Sequence, residues 1–203
     1  MLNDVTVFNI RDYLSAKDDK ELGEEELLGF LSEFSCDKNI DVERFLKEQS
    51  VEFTKKNQSV TYLVFTNEDV ALAGYFTITI KPITVNADSF SNTMKRKISR
   101  VGELDKTNNT YTLSAYLIAQ LGKNFSDNMG ERIAGEQLLR AAMDTIKELQ
   151  YMAGGMVVFL EAEDNEKLIE FYEERNGFKR FATKEVRTGT EDAHTLIQFL
   201  KVL

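Results

Sequence analysis

The stretch Tyr116–Leu149 decides the fold: YLIAQLGKNF (116–125), SDNMGERIAGEQLL (126–139) and RAAMDTIKEL (140–149). It reads as an apolar run, a polar glycine-bearing loop and a long amphipathic helix. Gly135, Leu139, Ala142, Ile146 and Leu149 fall on one helical face. A strand feeding a helix through such a loop leaves several backbone N–H groups at the helix start without partners. Those donors, with the positive end of the helix dipole, suit a phosphate. The loop is therefore the candidate seat for a coenzyme pyrophosphate.

Upstream, Tyr111–Lys123 is the strand that enters this loop. Before it, residues 86–110 are polar and irregular, an insertion carrying Lys95, Arg96, Lys97 and Arg100. That basic patch is either a solvated helix face or a lid whose cations meet an anionic ligand. VTYLVFT (60–66) and ALAGYFTITI (71–80) flank the turn-prone Asn67-Glu68-Asp69 and predict a hairpin, closed by Pro82. Two helices precede it. The first spans about 21–36, with Leu27, Leu28, Leu31 and Phe34 at helical spacing. The second carries Val42, Phe45, Leu46 and Phe53 behind an expected cap at Asp41. VTVFNI (5–10) predicts a first strand.

Downstream, Gly154-Gly155 ends the long helix. MVVFLEA (156–162) is nearly continuous in apolar residues, as in a central strand covered on both faces. Asp164 or Asn165 caps a short helix that buries Leu168, Ile169 and Tyr172, and Asn176-Gly177 stops it. Residues 178–186 and 195–203 predict a closing antiparallel pair around a polar loop. With no repeat and no linker, the expectation is one α/β (α+β) domain over 1–203, a mixed sheet of about six to seven strands with helices on both faces.

At 203 residues the chain is long enough to bury a full core. It has no apolar run of membrane-spanning length and no signal-peptide pattern, and its single cysteine, Cys36, fits a reducing cytoplasm. Cys36 is expected to pack rather than react. One histidine, His194, rules out a His-rich metal site. The net charge of −9 repels polyanions, so broad nucleic-acid binding is not expected.

Three blocks in order carry a family resemblance: AGYFTITIKPI (73–83); LIAQLGKN (117–124) with GERIAGEQLL (130–139); and NEKLIEFYEERNGFKRF (165–181). Together they resemble the Gcn5-related N-acetyltransferase (GNAT) superfamily. The third block is the most specific: an asparagine opening a helix, then a tyrosine, then Asn-Gly-Phe entering a strand. The phosphate block departs from the family pattern of Arg/Gln, two residues, Gly, one residue, Gly/Ala. With Gly135 aligned to the last element, Gly130 holds the Arg/Gln place and Ile133 the first glycine place.

The resemblance implies a GNAT fold and acetyl-CoA as co-substrate. It places the pantetheine arm on the backbone edge of Leu121, Gly122 and Lys123. The pyrophosphate would lie on the amides of Gly130, Glu131, Arg132, Ile133, Ala134, Gly135 and Glu136, with Asn165 also touching the coenzyme. Tyr172 takes the place of the general acid for the departing thiolate, against the alternative of a packed helix tyrosine. For the base that deprotonates the amine, Glu161 is a candidate by position, with Glu163 and Glu103 beside it. Tyr75 and Tyr116 either line the acceptor pocket or pack in the core; His194 is expected in a surface loop.

The implied function is direct N-acetylation of a primary amine of a small molecule or peptide, cationic acceptors being easier to steer to an acidic protein. GYFTITIKPI (74–83), the basic segment after it and LIAQLGKN (117–124) also resemble the GNAT toxins that acetylate aminoacyl-tRNA. A non-catalytic acyl-CoA-binding protein is the third alternative. No metal and no membrane are implied, and a homodimer is compatible with the sequence.

Overall fold

A computed structural model describes residues 5–15, 23–186 and 194–203, without the side chains of 127 and 128. The strands are β1 (Val5–Asn9), β2 (Val60–Thr66), β3 (Leu72–Asn86), β4 (Leu104–Asp105), β5 (Thr110–Lys123), β6 (Val157–Glu163), β7 (Lys179–Val186) and β8 (His194–Val202). The helices are α1 (Ile10–Leu14), α2 (Glu24–Ser32), α3 (Ile40–Arg44), α4 (Ser50–Lys55), α5 (Asn92–Ile98), α6 (Gly135–Ala153) and α7 (Glu166–Ile169). One mixed sheet runs in the order β1-β2-β3-β5-β6-β8-β7, with β4 on β5. The chain divides into two compact units, Met1–Thr79 with Ala119–Thr145, and Ile80–Ile118 with Ile146–Leu203. Among the described residues no helix is long and apolar enough to cross a membrane.

In the first unit the 67–69 turn forms the expected hairpin, Val60↔Ile78 through Phe65↔Leu72. Its core contains Ile10, Leu27, Leu31, Phe34, Leu46, Leu63 and Tyr75, all buried. Each such side chain contributes roughly 1.5–3 kcal/mol through removal from water. Leu28, expected on the buried face of α2, is half exposed. The cap of α3 is Asn39, not Asp41: its side chain accepts from the N–H groups of Asp41 and Val42. Cys36 is buried, and burial pushes its thiol pKa up, as an inert packed cysteine requires. Gly74 and Gly122 face each other so closely that a Cβ on Gly74 would lie 2.6 Å from the Gly122 carbonyl oxygen.

The second unit packs Ile83, Val85, Phe90, Ile98, Tyr111, Leu113, Val157, Phe159 and Leu200. Two expectations change here. Pro82 does not end β3, which continues to Asn86. The β2–β3 ladder stops at Ile78, so the missing proline N–H falls where β3 has no β2 partner. The polar 86–110 segment is also more ordered than its composition suggests. Ser91 caps α5 by accepting from the Met94 N–H, and Ile98 and Phe90 anchor the segment in the core. As expected, β6 is central, between β5 and β8, and α6 ends at Gly154 and Gly155, both at positive φ (78° and 105°). The polar loop expected between the closing strands falls on residues 187–193, outside the described residues.

Candidate functional site

The parallel ladder between β5 and β6 covers only three registers, Tyr116↔Val158, Leu117↔Phe159 and Ile118↔Leu160. β5 nevertheless continues to Lys123. The backbone of Leu121, Gly122 and Lys123 therefore lies beyond the ladder's last register. Gly122 is buried against Val42 and Tyr75, and a Cβ there would lie 2.4 Å from Val42 Cγ1.

Asn124 follows, with its side chain 2% exposed. Its oxygen accepts from the Ser35 N–H (2.9 Å) and the Ser126 N–H (3.0 Å), and its amide donates to the Leu72 carbonyl (2.8 Å). One buried amide thus fixes the start of the loop, the start of β3 and the α2–α3 connection. Sequence reasoning passed over it, because an asparagine after a strand is an ordinary loop residue.

The loop itself is a tight helical turn, Ser126–Glu131, before α6. The Arg132 N–H bonds the Met129 carbonyl and the Ala134 N–H bonds Gln137 Oε1. Of the amides assigned from the sequence, 130–136, those of Arg132 and Ala134 are thus already engaged within the chain, and Gly130 and Glu131 belong to the helical turn itself. Ile133 is buried, Glu131 and Ala134 are exposed, and Gly130, Gly135 and Glu136 are half-buried. Arg132 forms a two-point pair with Asp69, at 2.7 and 2.8 Å, with Glu68 3.7 Å away. That places two carboxylates where a phosphate contact was expected, and it makes Arg132 a brace between the hairpin turn and the loop.

In the second unit, Tyr172 sits in a wide π-type turn, Glu170–Arg175, a geometry that recurs at functional sites. Its ring packs on Phe171, Phe178 and Phe199. Its hydroxyl has no hydrogen-bond partner among the described residues. Burial pushes its pKa up to about 12, so the phenol stays protonated at neutral pH. Asn165 caps α7 by accepting from the Lys167 N–H.

Glu161 lines a cleft of about 360 Å³ with an apolar floor of Pro82, Ile83, Leu117, Phe159 and Phe181. Its carboxylate accepts from Gln198 Nε2 at 2.6 Å and pairs with Lys184 at 3.0 Å. Glu163 instead faces His194, 3.5 Å away, and His194 opens β8 rather than lying in a loop. Glu103 is exposed before β4. Both tyrosines considered for the pocket are core residues. The Tyr75 hydroxyl donates to the Val42 carbonyl at 2.6 Å, and the Tyr116 hydroxyl donates to the Gly154 carbonyl.

No family model and no curated protein matches this chain. Solved structures do match across nearly its whole length. AtaT complexed with acetyl-methionyl-tRNAfMet has a TM-score of 0.61 at 17% identity, over 96% of this chain and 94% of that one. The chain has the GNAT fold. A tyrosine-to-phenylalanine mutant of the AtaT toxin, bound to acetyl-CoA and the C-terminus of the antitoxin AtaR, has a TM-score of 0.58 at 17% identity, over 98% and 93%. A tyrosine-to-phenylalanine mutant of KacT has a TM-score of 0.57 at 19% identity, over 96% and 94%. In this GNAT fold the β5–β6 ladder ends at Ile118, five residues before β5 itself does.

Proposed function

We propose that this GNAT-fold chain is an acetyl-CoA-dependent N-acetyltransferase that moves an acetyl group directly to a primary amine. The observation that carries the proposal is Tyr172, a buried residue whose hydroxyl is protonated and without a hydrogen-bond partner among the described residues. A packing tyrosine normally spends its hydroxyl on a local bond, as Tyr75 and Tyr116 do. The neighbours lend support: one is bound to acetyl-CoA, and a tyrosine was the residue altered in two of them.

The residues take the following roles. The backbone of Leu121, Gly122 and Lys123 holds the pantetheine arm, and one of its N–H groups steadies the carbonyl oxygen as the amine attacks. The C–N bond forms, the C–S bond breaks, and Tyr172 gives its proton to the departing sulfur. Glu161, held by Gln198 and Lys184, takes the proton lost by the amine. The α6 mouth, Gly130–Glu136, takes the pyrophosphate, with Gly135 and Glu136 offering amides and the Gln137 side chain yielding that of Ala134. Asn165 caps its helix with its oxygen and keeps its amide for the coenzyme.

The test is thiol release from acetyl-CoA with a panel of amines. Wild-type protein is expected to release thiol, and Tyr172→Phe is expected to bind acetyl-CoA but turn over at least a hundredfold more slowly, an order set by general acid catalysis. Absence of both release and any thermal shift with acetyl-CoA would sink the proposal.

A second reading places that amine on aminoacyl-tRNA. Arg96, Lys97 and Arg100 are exposed and have no carboxylate partner among the described residues, and one neighbour carries acetyl-methionyl-tRNAfMet. This local cationic patch offers what the net charge of −9 withholds on average. Acetylated aminoacyl-tRNA in the same assay, with binding that weakens steeply with salt, would select it over a small amine.

A further inference from the structure

Lys38 and Lys123 are brought together by the Asn124 network. Ser35, whose N–H bonds Asn124, also accepts from the Phe125 N–H at 2.7 Å. This stitches the α2–α3 connection to the end of β5, and Lys38 follows three residues after Ser35. Its ammonium stands 4.3 Å from the Phe125 ring centroid, and that of Lys123 stands 5.6 Å from the same centroid. The ring is wedged against the loop as well, since a Cβ on Gly130 would lie 2.4 Å from Phe125 Cδ1.

Neither ammonium has a carboxylate within ion-pair distance among the described residues. The Lys123 pKa is lowered, first by burial and then by the charge of Lys38, while Glu136 opposes both. Two like charges held near one ring, one of them half-buried, are unfavourable without an anion between them. Arg132, the obvious cation of the loop, is already occupied by Asp69 and Glu68.

We propose that Lys38 and Lys123 form a two-cation seat for the phosphate groups of the nucleotide end of the acyl donor, with Phe125 as the platform that fixes both ammoniums. This rests on the N-acetyltransferase reading and assigns its phosphate contacts to two side chains, one from a segment remote in sequence. The bond is electrostatic, so the affinity it confers declines with salt.

The test is titration of acetyl-CoA and of S-acetyl-pantetheine, which lacks the nucleotide and all but its arm, into wild type, Lys38→Gln, Lys123→Gln and Lys56→Gln. Lys56 is exposed and paired with Glu52, so it controls for net charge. The proposal expects each of the first two variants to weaken acetyl-CoA binding about tenfold, the loss of one charge-assisted contact. Their salt dependence is expected to flatten, with S-acetyl-pantetheine and the Lys56 control unchanged and melting temperatures near wild type. Equal weakening for S-acetyl-pantetheine, or wild-type affinity for acetyl-CoA in both variants, overturns it while leaving the transferase reading intact. Weakened binding of RNA alone overturns it in favour of an RNA-phosphate contact. No binding of acetyl-CoA by wild type overturns both.

Discussion

Asp69 and Arg132 meet in a two-point ion pair, Arg132 Nη1 donating to Asp69 Oδ2 at 2.7 Å and Nη2 to Oδ1 at 2.8 Å. The turn that presents Asp69 is shaped for it. Thr66 Oγ1 donates to Asp69 Oδ1 at 2.6 Å, and the next residue, Val70, sits at φ 54°, a region that β-branched residues avoid. Bidentate geometry makes this pair more specific than an ordinary surface bridge.

Its removal is expected to loosen the loop rather than unfold the protein. Asp69→Asn should raise the KM for acetyl-CoA several-fold and leave kcat near wild type, and the charge-swapped pair Asp69→Arg with Arg132→Asp should restore part of the loss. The Arg132 guanidinium holds the Asp69 carboxyl well below the usual range. A depressed folded pKa means the pair's stabilisation is complete above the unfolded aspartate pKa of about 4 and fades as pH falls below it. The wild-type minus Asp69→Asn difference in melting temperature should therefore be flat from pH 5 to 8 and shrink on acidification. A difference that instead grows below pH 4 refutes the pairing.

Asn124 is expected to be the most sensitive polar position in the first unit. Asn124→Ala leaves the Ser35 and Ser126 N–H groups and the Leu72 carbonyl without their partner. The buried Leu72 carbonyl alone should cost about 1–3 kcal/mol, with less from the part-buried Ser35 and Ser126 N–H groups, which water can reach. Asn124→Asp should be less stable at pH 7 than at pH 5, because only a protonated carboxyl can donate to Leu72. Denaturant melts at the two pH values decide this.

Gly74 and Gly122 should not tolerate alanine. The Gly74 Cβ would meet backbone, the Gly122 carbonyl at 2.6 Å, and the Gly122 Cβ would meet Val42 and Tyr75 at 2.4 and 2.9 Å. Overpacking of this kind costs roughly 1–3 kcal/mol. Gly154→Ala meets no atom within 4 Å, but its φ of 78° makes the substitution a strained one. Melting temperatures should fall most for Gly122→Ala, and an unchanged value there would mean that β5 can shift away from α3.

Tyr172→Phe should separate activity from stability. Its hydroxyl makes no bond among the described residues, so the variant is expected to melt within a few degrees of wild type at neutral pH while turnover collapses. The raised pKa, about 12, adds a pH signature. A folded pKa above the unfolded value of about 10 contributes stability that is present below pH 10 and lost as pH rises towards 12. Wild type should therefore lose more stability than the variant across that alkaline window, as followed by chemical denaturation.

Much of the architecture was legible because hydrophobic periodicity and turn chemistry are local. The hairpin at 60–80, the central strand at 156–162, the stop at Asn176-Gly177 and the glycine end of α6 all follow from neighbouring residues. Pro82 misled because its effect depends on which edge of β3 is paired. Asp41 gave way to Asn39 because two cap-forming residues stood close together, and only the chain's path chose between them.

By itself the sequence determined the strand–loop–helix at 116–149, the order of the elements around it, and the pairing of a tyrosine with an Asn-Gly-Phe turn. Only the tertiary structure decided what each polar side chain faces. It gave Arg132 to Asp69, buried Asn124 among three backbone partners, set Lys38 beside Lys123, and left the Tyr172 hydroxyl unbonded. The reason is physical: backbone form follows local propensity and periodicity, whereas the partner of a charge or a hydroxyl lies tens of residues away and is fixed only when the sheet brings those segments into reach.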